Sequence, residues 1–248
     1  MIEFFRYRDA LPSFVWPKSP PPLTEAQKKA REAYMLLWHQ QLSSKYRMIE
    51  EFNHGYVAHL PRAQGSMTLE IGAGLGAHLK HEGDDHQNYH VLEFREEFCR
   101  EIRKRLPESR VQCGDIHDRQ PWESATFDRI VAIHVLEHLV DLPKALREIG
   151  RLLKPDGVLD IVIPCEGGLA HTFARTISAE RLFTRRFGMD FLPIHLNEHV
   201  NSYNEVIGLL RRGFVIEKQR YFPLRIPLPN LNVCAGFRLR NTRSASAY

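Results

Sequence analysis

The chain has 248 residues, 43% hydrophobic and 26% charged, with a formal net charge of +4; this is the composition of an ordinary globular protein, and the basic excess is too small to argue for nucleic acid. A chain of this length can bury a full core without disulfides or metal staples. Its four scattered cysteines, Cys99, Cys113, Cys165 and Cys234, show no CxxC spacing, which argues against a zinc ribbon or a disulfide scaffold and for free thiols in a reducing compartment. No apolar run reaches membrane-spanning length, and the N-terminus lacks the basic-then-apolar order of a signal peptide, so the expected location is cytoplasmic.

Residues 1–23 carry Pro17, Pro20, Pro21 and Pro22 and read as an extended arm whose aromatics pack on something. Thr24, with Gln27 completing a capping box, opens a helical stretch to about residue 60. Residues 1–60 are therefore expected to form an arm and helical cap, and 61–248 the main domain. From residue 66 five short apolar runs read as strands: 67–71, 89–93, 110–113, 127–133 and 157–164. Helical periods fall between them, clearest at 95–106 and 143–153, so the pattern predicts βαβ units and a mostly parallel sheet with right-handed crossovers. Residues 166–200 show no clean period and read as an irregular insertion over the substrate. Ser202 and Glu205 form a second capping box, opening a helix to about Arg212. Runs 214–221 and 232–240, joined by a proline-rich loop without a helix, predict a terminal antiparallel hairpin.

The most informative segment is Glu70-Ile71-Gly72-Ala73-Gly74-Leu75-Gly76, at a strand end and leading into an expected helix. Glycines there let the backbone turn sharply and let a ligand lie against it. Glu93 ends the next strand about 20 residues on, the spacing at which a carboxylate meets ribose hydroxyls. Gly72, Gly74 and Ala77 also satisfy the dinucleotide fingerprint, so the motif alone admits NAD as well as S-adenosylmethionine. Three features favour the latter: Glu70 ahead of the first glycine suits a cationic cofactor, Asp115 after the third strand can meet an adenine amino group, and the sheet ends in a hairpin.

These residues, with His134-Val135-Leu136-Glu137-His138-Leu139 and the run from Ala145 to Gly157, resemble class I S-adenosylmethionine-dependent methyltransferases of the methyltransferase-11 type. The resemblance covers about residues 65–165 and, more loosely, 200–240. It implies a doubly wound, Rossmann-like sheet of seven strands with the last antiparallel. It also implies that Gly72, Gly74 and Gly76 pass under the methionine part and the ribose, that Glu93 binds the ribose hydroxyls, that Asp115 and Ile116 flank the adenine and that His134 sits near the methionine end; Glu70, Ala73 and Phe94, next to these, are expected to contact the cofactor as well. The segment after the fourth strand further resembles ubiquinone-type O-methyltransferases, in which acids and a histidine hold a divalent ion; His134 replaces the first of those acids.

Two stretches, His134-x-x-Glu137-His138 and His195-x-x-Glu198-His199, match the H-x-x-E-H metalloprotease pattern, which needs both histidines on one helical face and a distant third ligand. His134 ends a strand, and the second copy lies in the irregular stretch after Pro193, so neither is expected to hold catalytic zinc. The expected chemistry is methyl transfer to a small-molecule acceptor at oxygen, with His138 or His199 taking the proton and no metal involved. Arg175, Arg181, Arg185 and Arg186 would suit an anionic acceptor, though a solvated basic face is the better explanation of them. The rivals are RNA or protein methylation, an NAD-dependent oxidoreductase, and a non-catalytic cofactor-binding scaffold. A homodimer through the N-terminal arm is the expected assembly; membrane and nucleic acid are not expected partners.

Overall fold

The computed structural model describes residues 14–37, 47–82 and 88–242. Its centre is a seven-stranded sheet: β1 (Thr68–Ile71), β2 (Tyr89–Glu93), β3 (Val111–Cys113), β4 (Phe127–Ile133), β5 (Leu153–Pro164), β6 (Phe214–Phe222) and β7 (Cys234–Asn241). The order across the sheet is β3-β2-β1-β4-β5-β7-β6. Strands β1 to β5 pair in parallel, whereas β7 runs antiparallel to both β5 and β6. The expected doubly wound, mostly parallel sheet with an antiparallel terminal hairpin is thus present. Chain order reverses between β1 and β4, and a crevice outside the carboxyl ends of parallel strands at such a switch point is where α/β sheets bind ligands.

The helices are α1 (Glu25–Leu37), α2 (Arg47–Ala58), α3 (Glu96–Arg103), α4 (Leu142–Leu152), α5 (Leu169–Arg175), α6 (Arg181–Phe187), α7 (Leu192–Glu198) and α8 (Tyr203–Leu210). Two differ from the sequence pattern. The glycine turn after β1 leads only to a single 3₁₀ turn, Leu79–His81, before Glu82, where a full helix was expected. Residues 166–200, read as irregular, hold α5, α6 and α7, with a π turn at Thr176–Glu180 joining the first two. Each of these helices has seven residues and one or two buried side chains, so no amphipathic period accumulates.

Alternation along the strands builds two cores. Ile130 and Ala132 of β4, with Leu159, Ile161 and Ile163 of β5, face Leu142, Ala145, Leu146 and Ile149 of α4 and Val206, Ile207 and Leu210 of α8. Val131 and Val162 face the other way, onto Val57 of α2. Asp141 caps α4 by accepting from the Lys144 amide, and Ser202 with Glu205 forms the anticipated capping box on α8. On the α2 side the strand positions that should be apolar include a buried ion network. Asp160 takes Arg129 Nε at 2.8 Å and Arg238 Nε and Nη2 at 2.7 Å each, while Arg129 Nη1 also reaches both Glu82 oxygens at 3.0 Å. Buried charges persist only when paired in this way.

The described part of the arm docks on its own chain. Trp16 Nε1 donates to Asn201 Oδ1 at 2.8 Å, and Lys18 Nζ pairs with Glu205 at 2.5 Å. Residues 1–13, on which the dimer expectation also rests, lie outside the described residues. Tyr34 of α1 packs edge-on against Phe183 and Phe191, so α1 and the α6–α7 region share one aromatic cluster.

Candidate active site

Every site residue read from the sequence lies at or next to the carboxyl end of a parallel strand, except His199, which α7 brings over the same edge. The glycine turn leaves β1 with Gly72 N donating to Leu92 O at 2.8 Å and closes with Gly76 N donating to Ala73 O at 2.7 Å. Gly72, Gly74 and Gly76 have φ of 68°, 56° and 70°, in the left-handed region. At Gly72 a Cβ would stand 2.6 Å from Val135 Cγ2, so the bare backbone there is a spatial as well as a conformational requirement. From outside, Arg105 clamps the turn through the carbonyls of Leu75 and Gly76.

Glu93 braces the turn from within. Its Oε2 accepts from Gly74 N at 2.8 Å and its Oε1 from Arg95 N at 2.9 Å. Burial pushes its carboxyl upward, against the lowering effect of those two amides. Each oxygen keeps lone-pair capacity for a ribose hydroxyl. The bracing role was not readable from spacing, because its donors are backbone amides. Phe94 beside it is 69% exposed and offers an open aromatic face.

Glu70 stands beneath the turn. It is 3% exposed, and Tyr89 Oη donates to its Oε2 at 2.9 Å. Burial lifts its carboxyl to about 8, so at neutral pH it is largely protonated. Its environment therefore does not support the countercharge to a cation inferred from the sequence. Asp115 Oδ1 accepts from the His117 amide at 2.9 Å and lies 2.6 Å from His117 Nδ1, which orders the turn after β3. The Ile116 side chain, 4% exposed, belongs to the main core, and Ala73, 7% exposed, to the smaller core near α3.

After β4 the chain turns through His134, whose φ of 54° is one that histidine tolerates better than most side chains. His134 Nδ1 lies 3.0 Å from Glu137 Oε1. Glu137 is buried; burial alone would raise its carboxyl, but His134, His138 and His199 hold it below the usual range. His138 Nδ1 donates to the Glu198 carbonyl at 2.8 Å, which in the neutral ring leaves Nε2 as the acceptor. Burial and the neighbouring His199 lower its pKa. The His138 and His199 rings meet edge to face with centroids 4.8 Å apart.

His199 and His195 both reach Glu166, which sequence reasoning missed. Glu166 Oε2 lies 3.0 Å from His199 Nδ1, Glu166 Oε1 lies 3.0 Å from His195 Nε2, and His171 Nε2 is 3.6 Å away. Burial opposes the charge on Glu166, yet His195 and His171 hold its carboxyl well below the usual range. The available signal was its position: an acid two residues beyond a parallel strand, at the same edge as Glu93 and Asp115. Of the four arginines that an anionic acceptor would suit, Arg175 lies 3.5 Å from Glu180.

The strand order, the glycine turn at the switch point and the acids after β2 and β3 define the class I methyltransferase fold. Residues 69–161 match the family model for a methyltransferase domain. The chain carries an S-adenosylmethionine-dependent methyltransferase domain of the methyltransferase-11 type, as its sequence motifs indicate. The turn fits that cofactor: its three glycines hold left-handed backbone free of side chains, with the Glu93 carboxylate beside them. No curated protein matches the chain. Among solved structures, the N-methyltransferase NodS from Bradyrhizobium japonicum, in complex with S-adenosylhomocysteine, shares 18% identity over 86% of this chain and 99% of its own, with a TM-score of 0.56. The [4+2]-cyclase SpnF shares 15% over 90% of this chain and 98% of its own, TM-score 0.59. A methyltransferase solved with the Haloferax volcanii activator Trm112 shares 15% over 90% of this chain and 100% of its own, TM-score 0.57. At these identities the likeness is one of fold. Among the described residues no helix is long and apolar enough to cross a membrane.

Proposed function

We propose that the chain transfers the methyl group of S-adenosylmethionine to an oxygen of a small-molecule acceptor, with His138 or His199 taking the proton. The observation that carries this reading is the oriented imidazole pair at the carboxyl edge of the sheet. His138 Nδ1 is fixed by the Glu198 carbonyl and His199 Nδ1 by Glu166, so each neutral ring keeps Nε2 to accept a proton. Glu70, Gly72, Ala73, Gly74, Gly76, Glu93, Phe94, Asp115, Ile116 and His134 are assigned to the cofactor side. Glycine backbone and Glu93 hold the ribose and methionine portions, and the exposed Phe94 ring flanks the adenine. The bound cofactor supplies an activated methyl on a positively charged sulfur, and transfer is an in-line displacement governed by placement of the acceptor and exclusion of water.

The α5–α7 segment and the N-terminal helix α1 would wall the acceptor side. A compact wall of this kind suits a small molecule better than RNA or a folded protein. NodS acts at nitrogen and SpnF is a cyclase, so fold alone does not select the acceptor atom; the imidazole pair is what favours a hydroxyl, which needs a base. The test is steady-state kinetics on His138→Ala and His199→Ala. The true base should lose about 10²–10⁴-fold in kcat while cofactor affinity stays close to wild type. Full turnover in both variants would overturn the assignment.

A further inference from the structure

Among the described residues, two groups of potential metal ligands converge to within 4.8 Å: Glu96, Cys99 and Cys113, and Glu166, His195 and His199. In the first, Glu96 is exposed and already pairs with Arg103 at 3.0 Å. The second is built differently. His195 and His199 are one helical turn apart on α7 and its C-cap, which places both imidazoles on one face. The carboxylate arrives from a separate element, the loop after β5. All three side chains are largely shielded, at 7%, 23% and 15% exposed.

We propose that Glu166, His195 and His199 bind a divalent metal ion of the zinc class on the acceptor side of the methyl-transfer site. Two imidazole nitrogens and one carboxylate are a recurring donor set for such ions, with a further position left open to a ligand. The spacing is close to what an ion needs. Metal–ligand bonds of about 2.0–2.1 Å in a tetrahedral arrangement separate neighbouring donors by about 3.3 Å. Each imidazole nitrogen here lies 3.0 Å from a Glu166 oxygen, so small outward movements would admit the ion. The Glu198 of the H-x-x-E-H stretch is engaged elsewhere, with its carboxylate 3.3 Å from Arg31 and its carbonyl on His138. The ligand set is therefore two histidines plus a distant Glu166, a site that the metal-free expectation from sequence did not include.

The site lies against His138, whose ring is 4.8 Å from that of His199. An ion on His199 Nδ1 would leave His138 as the imidazole free to take a proton, while an acceptor oxygen on the open metal position would be both oriented and acidified. That role, unlike the ion site itself, rests on the methyltransferase reading.

The test is titration of the chelator-stripped full chain with Co²⁺, followed by visible spectroscopy and X-ray absorption. The proposal expects one Co²⁺ per chain, d–d bands, and a first shell of nitrogen and oxygen with two imidazoles. Glu166→Gln and His195→Gln should each lower Co²⁺ affinity by at least about tenfold. Absence of a stoichiometric ion in the wild type would overturn the proposal, whether or not the variants fold. So would sulfur in the first shell, which would place the ion on Cys99 and Cys113, or binding unchanged in both variants. Calorimetry with S-adenosylmethionine on the same samples tests the methyltransferase reading separately, since cofactor binding does not require the ion.

Discussion

Gly72→Ala tests the left-handed backbone of the turn after β1 and its close packing on Val135. Alanine at φ 68° pays the left-handed penalty of about 1–2 kcal/mol. Its Cβ would also meet Val135 Cγ2 at 2.6 Å, almost 1 Å inside ordinary contact. Valine is stiff at χ1, and Val135 is 9% exposed in the main core, so it can yield only by leaving its rotamer, at a cost of about 0.5–1.5 kcal/mol. The sum, about 1.5–3.5 kcal/mol, must appear as lower stability if the loop holds its shape, or as lost cofactor affinity if the loop moves. Thermal melts and S-adenosylmethionine calorimetry on Gly72→Ala, Val135→Ala and the double variant separate the two contributions. The double variant should recover the clash, leaving a coupling of about 0.5–1.5 kcal/mol, and should not recover the backbone penalty. A Gly72→Ala protein with wild-type melting and wild-type affinity would refute the geometry.

Glu93→Gln, which keeps the size but not the charge, should weaken cofactor binding by about 1.5–3 kcal/mol; calorimetry would read this, and an unchanged affinity would show that Glu93 only braces Gly74 and Arg95. The raised Glu70 carboxyl makes stability depend on pH. The folded chain keeps that proton up to about 8, whereas the unfolded chain releases it near 4.5. Wild type should thus lose stability relative to Glu70→Gln as pH rises across this window and lose no more above it; a constant offset between the two proteins' denaturant midpoints across the window would show instead that the carboxyl is ionised throughout. Arg129→Met strands Asp160 and Glu82 in the interior and should cost about 3–5 kcal/mol in chemical denaturation, and a loss below about 1 kcal/mol would mean that Arg238 and Arg62 suffice.

Much of the scaffold was legible because parallel strands are buried on both faces and stand out as apolar runs between turn residues. Strands β2 and β4 match the runs at 89–93 and 127–133 residue for residue, and the Ser202–Glu205 box marks the start of α8. The charges inside the sheet were not legible. Arg129, Asp160 and Arg238 look like solvent-facing alternation until β5 and β7 pair and bring Arg238 opposite Asp160. The α5–α7 segment stayed hidden because helices of two turns bury too little to set a period. The meeting of Glu166 with His171, His195 and His199 joins residues up to 33 positions apart, which no local pattern encodes. The glycine turn after β1 and the acid that ends β2 were readable for the opposite reason, since both follow from strand spacing alone.

Methyl transfer to a small molecule is tested by supplying the purified chain with methyl-labelled S-adenosylmethionine and a cell extract and following the label. S-Adenosylhomocysteine should be released with label in the low-mass fraction, less of it with the His138→Ala or His199→Ala protein. Label confined to RNA or protein, or no S-adenosylhomocysteine above the rate without enzyme, would contradict it.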